Sequence, residues 1–471
     1  MKSTAKRSTS PSVSPARAAA FDILLRIERE SSYASELLHS RTYERLPTVD
    51  HSLATELVMG VLRWRSLLDS RIEESSSQPL SKLDLEILIA LRLAIYQLGW
   101  LTRVPARAAI NESVELVKRA RKRSAASFVN AVLRKLAAKV IVEPPPQSTP
   151  FVSAEALAAS SAHPLWLVER WIRTYGIDAV RRICEFDQLV PVTAVRMRYP
   201  EVASQLKAGG FDLAPGALLS SARRVLHGDI TRSAVFRQGS VVIQDEASQL
   251  VAALVGRGTN ILDCCAAPGG KTAAIADHNS GATIAAVELH PHRARLLRKL
   301  LSVNSSVSSS ANKGRTSNIH VVAGDAQNMP FASKFDRVLA DVPCSGTGTL
   351  ARNPEIKWRL TPADIADLQR RQVAILRAAM AQLAPGGRLI YSTCSLEKEE
   401  NQDVIDIAMS EDRSFRRIDC GIELQRLKQE GELVWADPST LTRGPYLRTL
   451  PGTHPCDGFF AAILEKSTNL T

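Results

Sequence analysis

The sequence predicts a multidomain chain: an all-α N-terminal domain, a small α/β module, and a Rossmann-like α/β domain with a mostly parallel sheet. Three observations carry this. Apolar residues recur at three and four positions from Arg17 to Lys139, the period of a helix face. A proline-rich stretch, Glu143-Pro-Pro-Pro-Gln-Ser-Thr-Pro150, then breaks the pattern as a stiff linker. From about Gly239 short apolar runs alternate with helical ones, as a doubly wound sheet requires. A length of 471 residues fits about three domains of roughly 150 residues each.

Residues 1–15 are expected as a disordered basic tail. Residues 1–20 carry Lys2, Lys6, Arg7 and Arg17 and no acid. An organelle transit segment is the alternative, but no amphipathic period supports it. The helical domain is expected over 16–143, with stripes such as Ile23, Leu24, Ile27 and Leu85, Leu88, Ile89, Leu93, Tyr96. Asn111 reads as a helix start with acids in its first turn. Lys118, Arg119, Arg121, Lys122 and Arg123 form a basic run, either a solvated helix end or an RNA contact. The linker is expected over 144–162 and the small module over 163–236, with Val192 to Tyr199 as a strand carrying Arg196 and Arg198 on one face. The last domain is expected over 237–468, its strands near Ile261–Asp263, Thr283–Val287, His320–Val322, Arg337–Ala340 and Arg388–Ser392. Ser302 to Asn318 is polar and reads as a surface insertion.

Charge and cysteine usage narrow the function classes. Residues 1–143 hold 23 Lys+Arg against 15 Asp+Glu, so +8 of the +12 net charge sits in that part. A basic end beside a near-neutral remainder suits a polyanionic partner. The richest apolar stretch, Leu83 to Leu101, is broken by Asp84, Glu86 and Arg92, and no uncharged run nears the roughly 18 residues of a membrane span. No membrane association and a cytoplasmic location are therefore expected. Seven cysteines in so long a chain, without a signal peptide, do not make a disulfide framework.

The first strand of the last domain runs into Cys265-Ala-Ala-Pro-Gly-Gly-Lys271-Thr272. A phosphate-binding P-loop needs glycine where Cys265 stands, and G-x-G-x-x-G is absent. What remains is a glycine turn that lets a ligand approach the backbone at a helix start. Glu288, Asp325 and Asp341 stand at the ends of the next three strands, a pattern suited to a nucleoside. Cys344, in Asp341-Val-Pro-Cys-Ser-Gly-Thr-Gly348, and Cys394, in Tyr391-Ser-Thr-Cys-Ser395, follow the fourth and fifth strands. Buried structural thiols are the plainer reading, but both occupy loop positions where α/β enzymes place function.

These motifs resemble those of RNA cytosine-C5 methyltransferases. Asp263-Cys-Cys-Ala-Ala-Pro-Gly-Gly-Lys-Thr272, Asp341 to Gly348 and Ser392 to Ser395 carry the likeness, and Gln244 to Gln249, Arg352 to Trp358 and Asp457 to Phe460 extend it. Through Phe128-Val-Asn-Ala-Val-Leu-Arg134 the first domain resembles NusB-like RNA-binding domains, a domain order similar to the bacterial small-subunit rRNA group. The resemblance implies a class I methyltransferase fold and S-adenosyl-L-methionine as donor. It implies 16S rRNA as partner, with cytosine 967 as target. It makes Cys394 the nucleophile and Cys344 the group aiding product release. It gives Cys265, Ala266, Ala267, Pro268, Gly269, Gly270, Lys271, Glu288, Asp325 and Asp341 to the donor, with Asp341 also near the cytosine. Glu288 stands where the family commonly has Asp. No metal is expected, and the chain is expected to act as a monomer.

A thiol fits this chemistry because carbon 5 of cytosine is a poor nucleophile. Addition of a thiolate at carbon 6 breaks the aromaticity and makes carbon 5 an enamine carbon. An ordinary thiol has a pKa of about 8.5, so the site has to favour the thiolate. The competing classes are a methyltransferase acting on tRNA or another rRNA site, a NusB-type assembly factor with an idle catalytic domain, and a DNA cytosine methyltransferase. The last would attack from the Pro-Cys position of Cys344 and leave the Thr-Cys-Ser loop unused.

Overall fold

The computed structural model describes residues 13–30, 32–40, 42–138, 153–306, 318–329 and 331–468, with side chains undescribed from 303 to 306. Most of the expected basic tail, the proline-rich linker up to 152 and the bulk of the 302–318 insertion lie outside the described residues. The chain forms two units: residues 1–189 with 350–359, and residues 190–349 with 360–471. Among the described residues no helix is long and apolar enough to cross a membrane.

The first unit opens with α1 (Pro15–Glu30), α2 (Ala34–Leu38), α3 (Thr48–Ser75), α4 (Leu85–Trp100), α5 (Ala106–Arg119) and α6 (Ala126–Ala138). The apolar stripes meet in one core around Ile23, Leu57, Leu68, Ile72, Leu91, Leu93 and Leu133. Gly60, in the middle of α3, is there for packing. A Cβ at Gly60 would stand 1.9 Å from Cζ of Tyr96, whose hydroxyl reaches Glu56 Oε1 at 2.5 Å. A glycine inside a helix costs about 1 kcal/mol against alanine; here it admits a buried ring.

Three more helices, α7 (Ala154–Ser160), α8 (Leu165–Tyr175) and α9 (Ile177–Asp187), belong to this unit. The segment 163–189, read from sequence as the start of the middle module, is thus helical and packs with the first unit through Leu167, Val168, Trp171, Val180 and Ile183. The strap 350–359 also folds here. Lys357 Nζ donates to the carbonyls of Arg63 (2.8 Å) and Ala162 (2.9 Å), and Trp358 Nε1 donates to that of Leu62 (2.6 Å). Glu355 Oε1 accepts from the amide of Ala34 at 2.9 Å.

The second unit begins with an antiparallel sheet of order β2-β3-β1-β4, formed by β1 (Thr193–Met197), β2 (Asp212–Pro215), β3 (Ala222–His227) and β4 (Val241–Ile243). Helices α10 (Glu201–Ala208) and α11 (Ala234–Arg237) complete this small layer. It extends past residue 236 because β4 pairs with β1.

The large sheet follows. Its parallel part is β5 (Asn260–Asp263), β6 (Thr283–Glu288), β7 (Asn318–Ala323), β8 (Phe335–Asp341) and β9 (Leu383–Thr393), in the order β7-β6-β5-β8-β9. Strands at Phe415–Ile418, Thr442–Arg443, Tyr446–Arg448 and Phe460–Lys466, numbered β10 to β13, add an antiparallel flank, with β13 paired to β9. Helices α12 (Glu246–Leu254), α13 (Gly270–His278), α14 (Pro291–Ser306), α15 (Pro362–Gln382), α16 (Gln402–Glu411) and α17 (Cys420–Gln429) alternate with the strands. The expected strands all fall inside β5 to β9, and Ile261, Leu262, Val338, Leu339, Leu389 and Ile390 are fully buried between helix layers. Strand order reverses at β5, so a crevice opens beyond the carboxyl ends of β5 and β8.

Candidate active site

The crevice begins where β5 ends. The chain leaves Asp263, turns through residues 264–269 and enters α13. Gly269 has φ of +113°, and a Cβ there would stand 2.6 Å from Leu297 Cδ1. Both conformation and space require glycine at this position. A Cβ on Gly270 would meet the Gln244 side chain at 3.4 Å, so the turn is bare backbone under a polar side chain.

Thr272 Oγ1 donates to Asp263 Oδ2 at 2.7 Å, while the buried Oδ1 has no hydrogen-bond partner among the described residues. Burial, with the nearby Asp341 charge, pushes the Asp263 carboxyl up to about 6, against the Thr272 bond. Burial pushes the Cys265 thiol up as well, and the charges of Asp263, Asp341, Glu288 and Asp325 add to it. The acids expected on this edge therefore act on one point. Glu288, almost buried at the end of β6, accepts from the amide of His290 at 2.9 Å, and Asp325 caps the amide of Gln327 at 2.9 Å.

Asp341, at the end of β8, is held from two sides. Lys271 Nζ lies 2.8 Å from Oδ2, and Ser392 Oγ donates to Oδ1 at 2.7 Å. The Lys271 ammonium also sits 5.0 Å from the centre of the Phe459 ring. Burial opposes its charge, but Asp341 and, less strongly, Cys394 outweigh that and raise its pKa.

Cys344 and Cys394 are brought together by the parallel pairing of β8 with β9. Their sulfurs are 3.3 Å apart, unbonded, and both residues are half-buried. The contact with Cys394, then burial, then the charges of Cys394 and Glu400, push the Cys344 thiol well up.

Close backbone contact locks the two loops. Gly348 N donates to the Cys394 carbonyl at 2.9 Å, and Gly458 N to the Gly348 carbonyl at 2.7 Å. A Cβ on Gly348 would stand 2.1 Å from Gly458 O. A Cβ on Gly458 would stand 2.7 Å from Leu396 Cδ2 and 3.0 Å from Gly348 Cα, which explains the glycine of Asp457-Gly-Phe-Phe460. The Gln244–Gln249 motif is scaffolding too: Asp245 caps Ala247 N and receives Asp457 N, and Glu246 accepts the amides of Ala217, Leu218 and Leu219.

Sequence reasoning missed Glu400. This fully buried carboxylate takes Ser345 N (2.8 Å) and Gln372 Nε2 (2.9 Å) on Oε1 and both the Ser345 and Ser395 hydroxyls on Oε2. Its run, Glu397-Lys-Glu-Glu-Asn401, reads as a solvated acidic helix start, and nothing in its spacing singles out one residue. Arg196 and Arg198, expected on one face of a strand, fork onto Asp277 of α13 at 2.5 Å each and are largely buried. Of the basic run, Lys118, Arg119 and Lys122 pair with Glu115, Asp22 and Asp84 at 2.7–2.8 Å.

A doubly wound sheet with a glycine turn, an acidic edge and an all-α partner unit defines a Rossmann-like methyltransferase domain joined to a NusB-like domain. Comparison with known proteins makes this specific. Residues 253–465 match the 16S rRNA methyltransferase RsmB/F family, and residues 14–138 match the NusB family. A probable ribosomal RNA small subunit methyltransferase B of Bacillus subtilis is 32% identical, over 95% of this chain and 98% of the relative. Ribosomal RNA small subunit methyltransferase B of Vibrio cholerae is 30% identical over 88% of this chain and 90% of the relative. The crystal structure of PH0851 shares the fold, with a TM-score of 0.75 and 22% identity over 97% of this chain and 99% of that one. The chain belongs to the RsmB/F family of 16S rRNA methyltransferases.

Proposed function

We propose that the chain methylates carbon 5 of a cytosine in 16S rRNA, cytosine 967 by the family resemblance, using S-adenosyl-L-methionine and a Cys394–carbon 6 adduct. The observation that carries this is the pair of unbonded sulfurs 3.3 Å apart beside the Lys271–Asp341 ion pair. The crevice suits the donor: the turn through Cys265, Ala266, Ala267, Pro268, Gly269 and Gly270 leads into the N-terminus of α13, Asp263 sets a buried carboxylate beside it, and Glu288 and Asp325 offer acceptors for a ribose diol. When bound, the donor supplies an electrophilic methyl group.

The residues of the chain do the rest. The Cys394 thiolate forms a bond to carbon 6 and makes carbon 5 nucleophilic. Asp341, fixed by Lys271 and Ser392, meets the polar edge of the cytosine. After methylation a base removes the proton on carbon 5 as the sulfur–carbon bond breaks, with Cys344 aiding release. The first unit, basic and NusB-like, holds the RNA.

The test is methyl transfer to 16S rRNA, with the site mapped by bisulfite sequencing, for wild type and Cys394→Ala. Loss of transfer with donor binding kept is expected. Full turnover by the variant removes the adduct mechanism, and no transfer by the wild type favours an assembly factor.

A further inference from the structure

We propose that Gln244 is a donor-binding residue: its buried amide, set over the start of α13, receives the charged amino-acid end of S-adenosyl-L-methionine. The inference rests on the donor reading of the crevice and not on which base is methylated. In the Gln244–Gln249 motif, Asp245 caps Ala247 N and Glu246 holds the amides of Ala217, Leu218 and Leu219. The Gln244 side chain takes no part in that scaffolding. Its main chain is fixed on both sides: N donates to the Ala194 carbonyl at 3.0 Å, and its own carbonyl accepts from Gln249 Nε2 at 2.9 Å. The side chain, 7% exposed, is thereby delivered to one place.

That place is the glycine turn. A Cβ built on Gly270, the first residue of α13, would meet Cδ, Nε2 and Oε1 of Gln244 at 3.4, 3.5 and 3.6 Å. Three amide atoms at nearly one distance lay the amide over the turn. Nε2 donates to Ser248 Oγ at 3.1 Å, whereas the buried Oε1 has no hydrogen-bond partner among the described residues. A buried amide oxygen left unmet is unfavourable. The same turn carries the amides of Gly270, Lys271 and Thr272, which precede the first bond of the helix, Ala273 N to the Gly269 carbonyl at 2.9 Å. A polar group over this turn meets donors from the helix and an acceptor from Gln244.

The amino-acid end of the donor has that character. With the ribose diol given to Glu288 and Asp325, at the ends of β6 and β7, the opposite end falls to the turn after β5. It carries a carboxylate, which a helix N-terminus favours, and an ammonium, from which an amide oxygen accepts. The pairing does not depend on which way the amide lies. Ser248 Oγ both donates and accepts, so it satisfies either end of the amide, and the other end, oxygen or NH₂, still finds its complement in a zwitterion.

The experiment is calorimetric binding of two ligands to the full chain without RNA: S-adenosyl-L-homocysteine, which keeps the amino-acid end, and methylthioadenosine, which lacks it. Gln244→Met keeps the length of the side chain and removes both polar atoms. It should bind S-adenosyl-L-homocysteine at least about tenfold more weakly, the loss of one hydrogen bond to a charged group, and bind methylthioadenosine as wild type does. Ser248→Ala, which releases one end of the amide, should weaken the first ligand about threefold and leave the second unchanged; it carries the same test where Gln244→Met does not fold. Wild-type affinity of these variants for S-adenosyl-L-homocysteine assigns the amide to packing alone and overturns the proposal. An equal loss for both ligands makes Gln244 a support of the turn and overturns it as well. A wild-type chain that binds neither ligand removes the donor reading itself, so the two failures are told apart.

Discussion

Lys357 offers a test of how the strap is held. The residue is 1% exposed, and its ammonium reaches the carbonyls of Arg63 and Ala162. Burial lowers its pKa to about 7; Asp187 and Cys184 oppose the shift and Arg63 adds to it. A neutral amine still has two N–H groups, which match the two carbonyls. The folded-state pKa lies below the unfolded value of 10.5, so between pH 7 and 10.5 the unfolded chain binds the additional proton. Stability contributed here therefore rises with pH across that window and is flat below it. The slope is about 1.4 kcal/mol per pH unit, or roughly 2–3 kcal/mol from pH 7 to 9. Lys357→Met removes the titration and keeps the volume. The assay is urea unfolding read by tryptophan fluorescence, which reports the first unit because Trp64, Trp100, Trp166, Trp171 and Trp358 lie there and only Trp435 does not. Wild-type stability minus that of Lys357→Met should grow by roughly 2–3 kcal/mol between pH 7 and 9. A difference that stays constant or shrinks with pH refutes the account of a deprotonating buried lysine.

Three further outcomes are expected. Cys344→Ala should accumulate a denaturant-resistant protein–RNA adduct on gels, and the double variant with Cys394→Ala should not; an adduct dependent on Cys344 reverses the roles. Gly348→Ala forces apart the Cys394, Gly348 and Gly458 backbones, whose closeness leaves a Cβ 2.1 Å from Gly458 O, and should cut kcat about a hundredfold while donor binding by calorimetry persists. Neutralising Arg119, Arg121, Lys122 and Arg123 together should weaken rRNA binding and flatten its log–log salt dependence by about 0.9 for each duplex phosphate these residues neutralise. Equal slopes would make the run a solvated helix end, consistent with the Asp22 and Asp84 pairs.

What is legible in the sequence follows from how local each cause is. The strands β5 to β9 can be read because apolar runs such as Ile261–Leu262 and Leu389–Ile390 must be buried on both faces, and turns bound them. The glycine turn is legible for the same reason: only glycine takes φ of +113° while Leu297 packs 2.6 Å from where a Cβ would be. Residues whose role depends on a distant partner are not. Arg196 and Arg198 have the pattern of a basic strand face, and only the fold brings Asp277, about 80 residues on, to take both. Glu400 and Lys357 lie in charged, polar-looking runs, yet one is fully buried under Ser345, Ser395 and Gln372 and the other under two carbonyls from the first unit. A buried charge is stable only when partners surround it, and those partners come from elements separated in sequence. The strap makes the point most sharply. Arg352 to Trp358 reads as part of the catalytic domain because it follows Cys344 in the chain. Its lysine, its tryptophan and one carboxylate oxygen of its glutamate instead bond to the backbones of Arg63, Ala162, Leu62 and Ala34. A motif that resembles catalytic machinery thus has a packing reason for its composition: these three side chains are matched to main-chain groups of the helical unit.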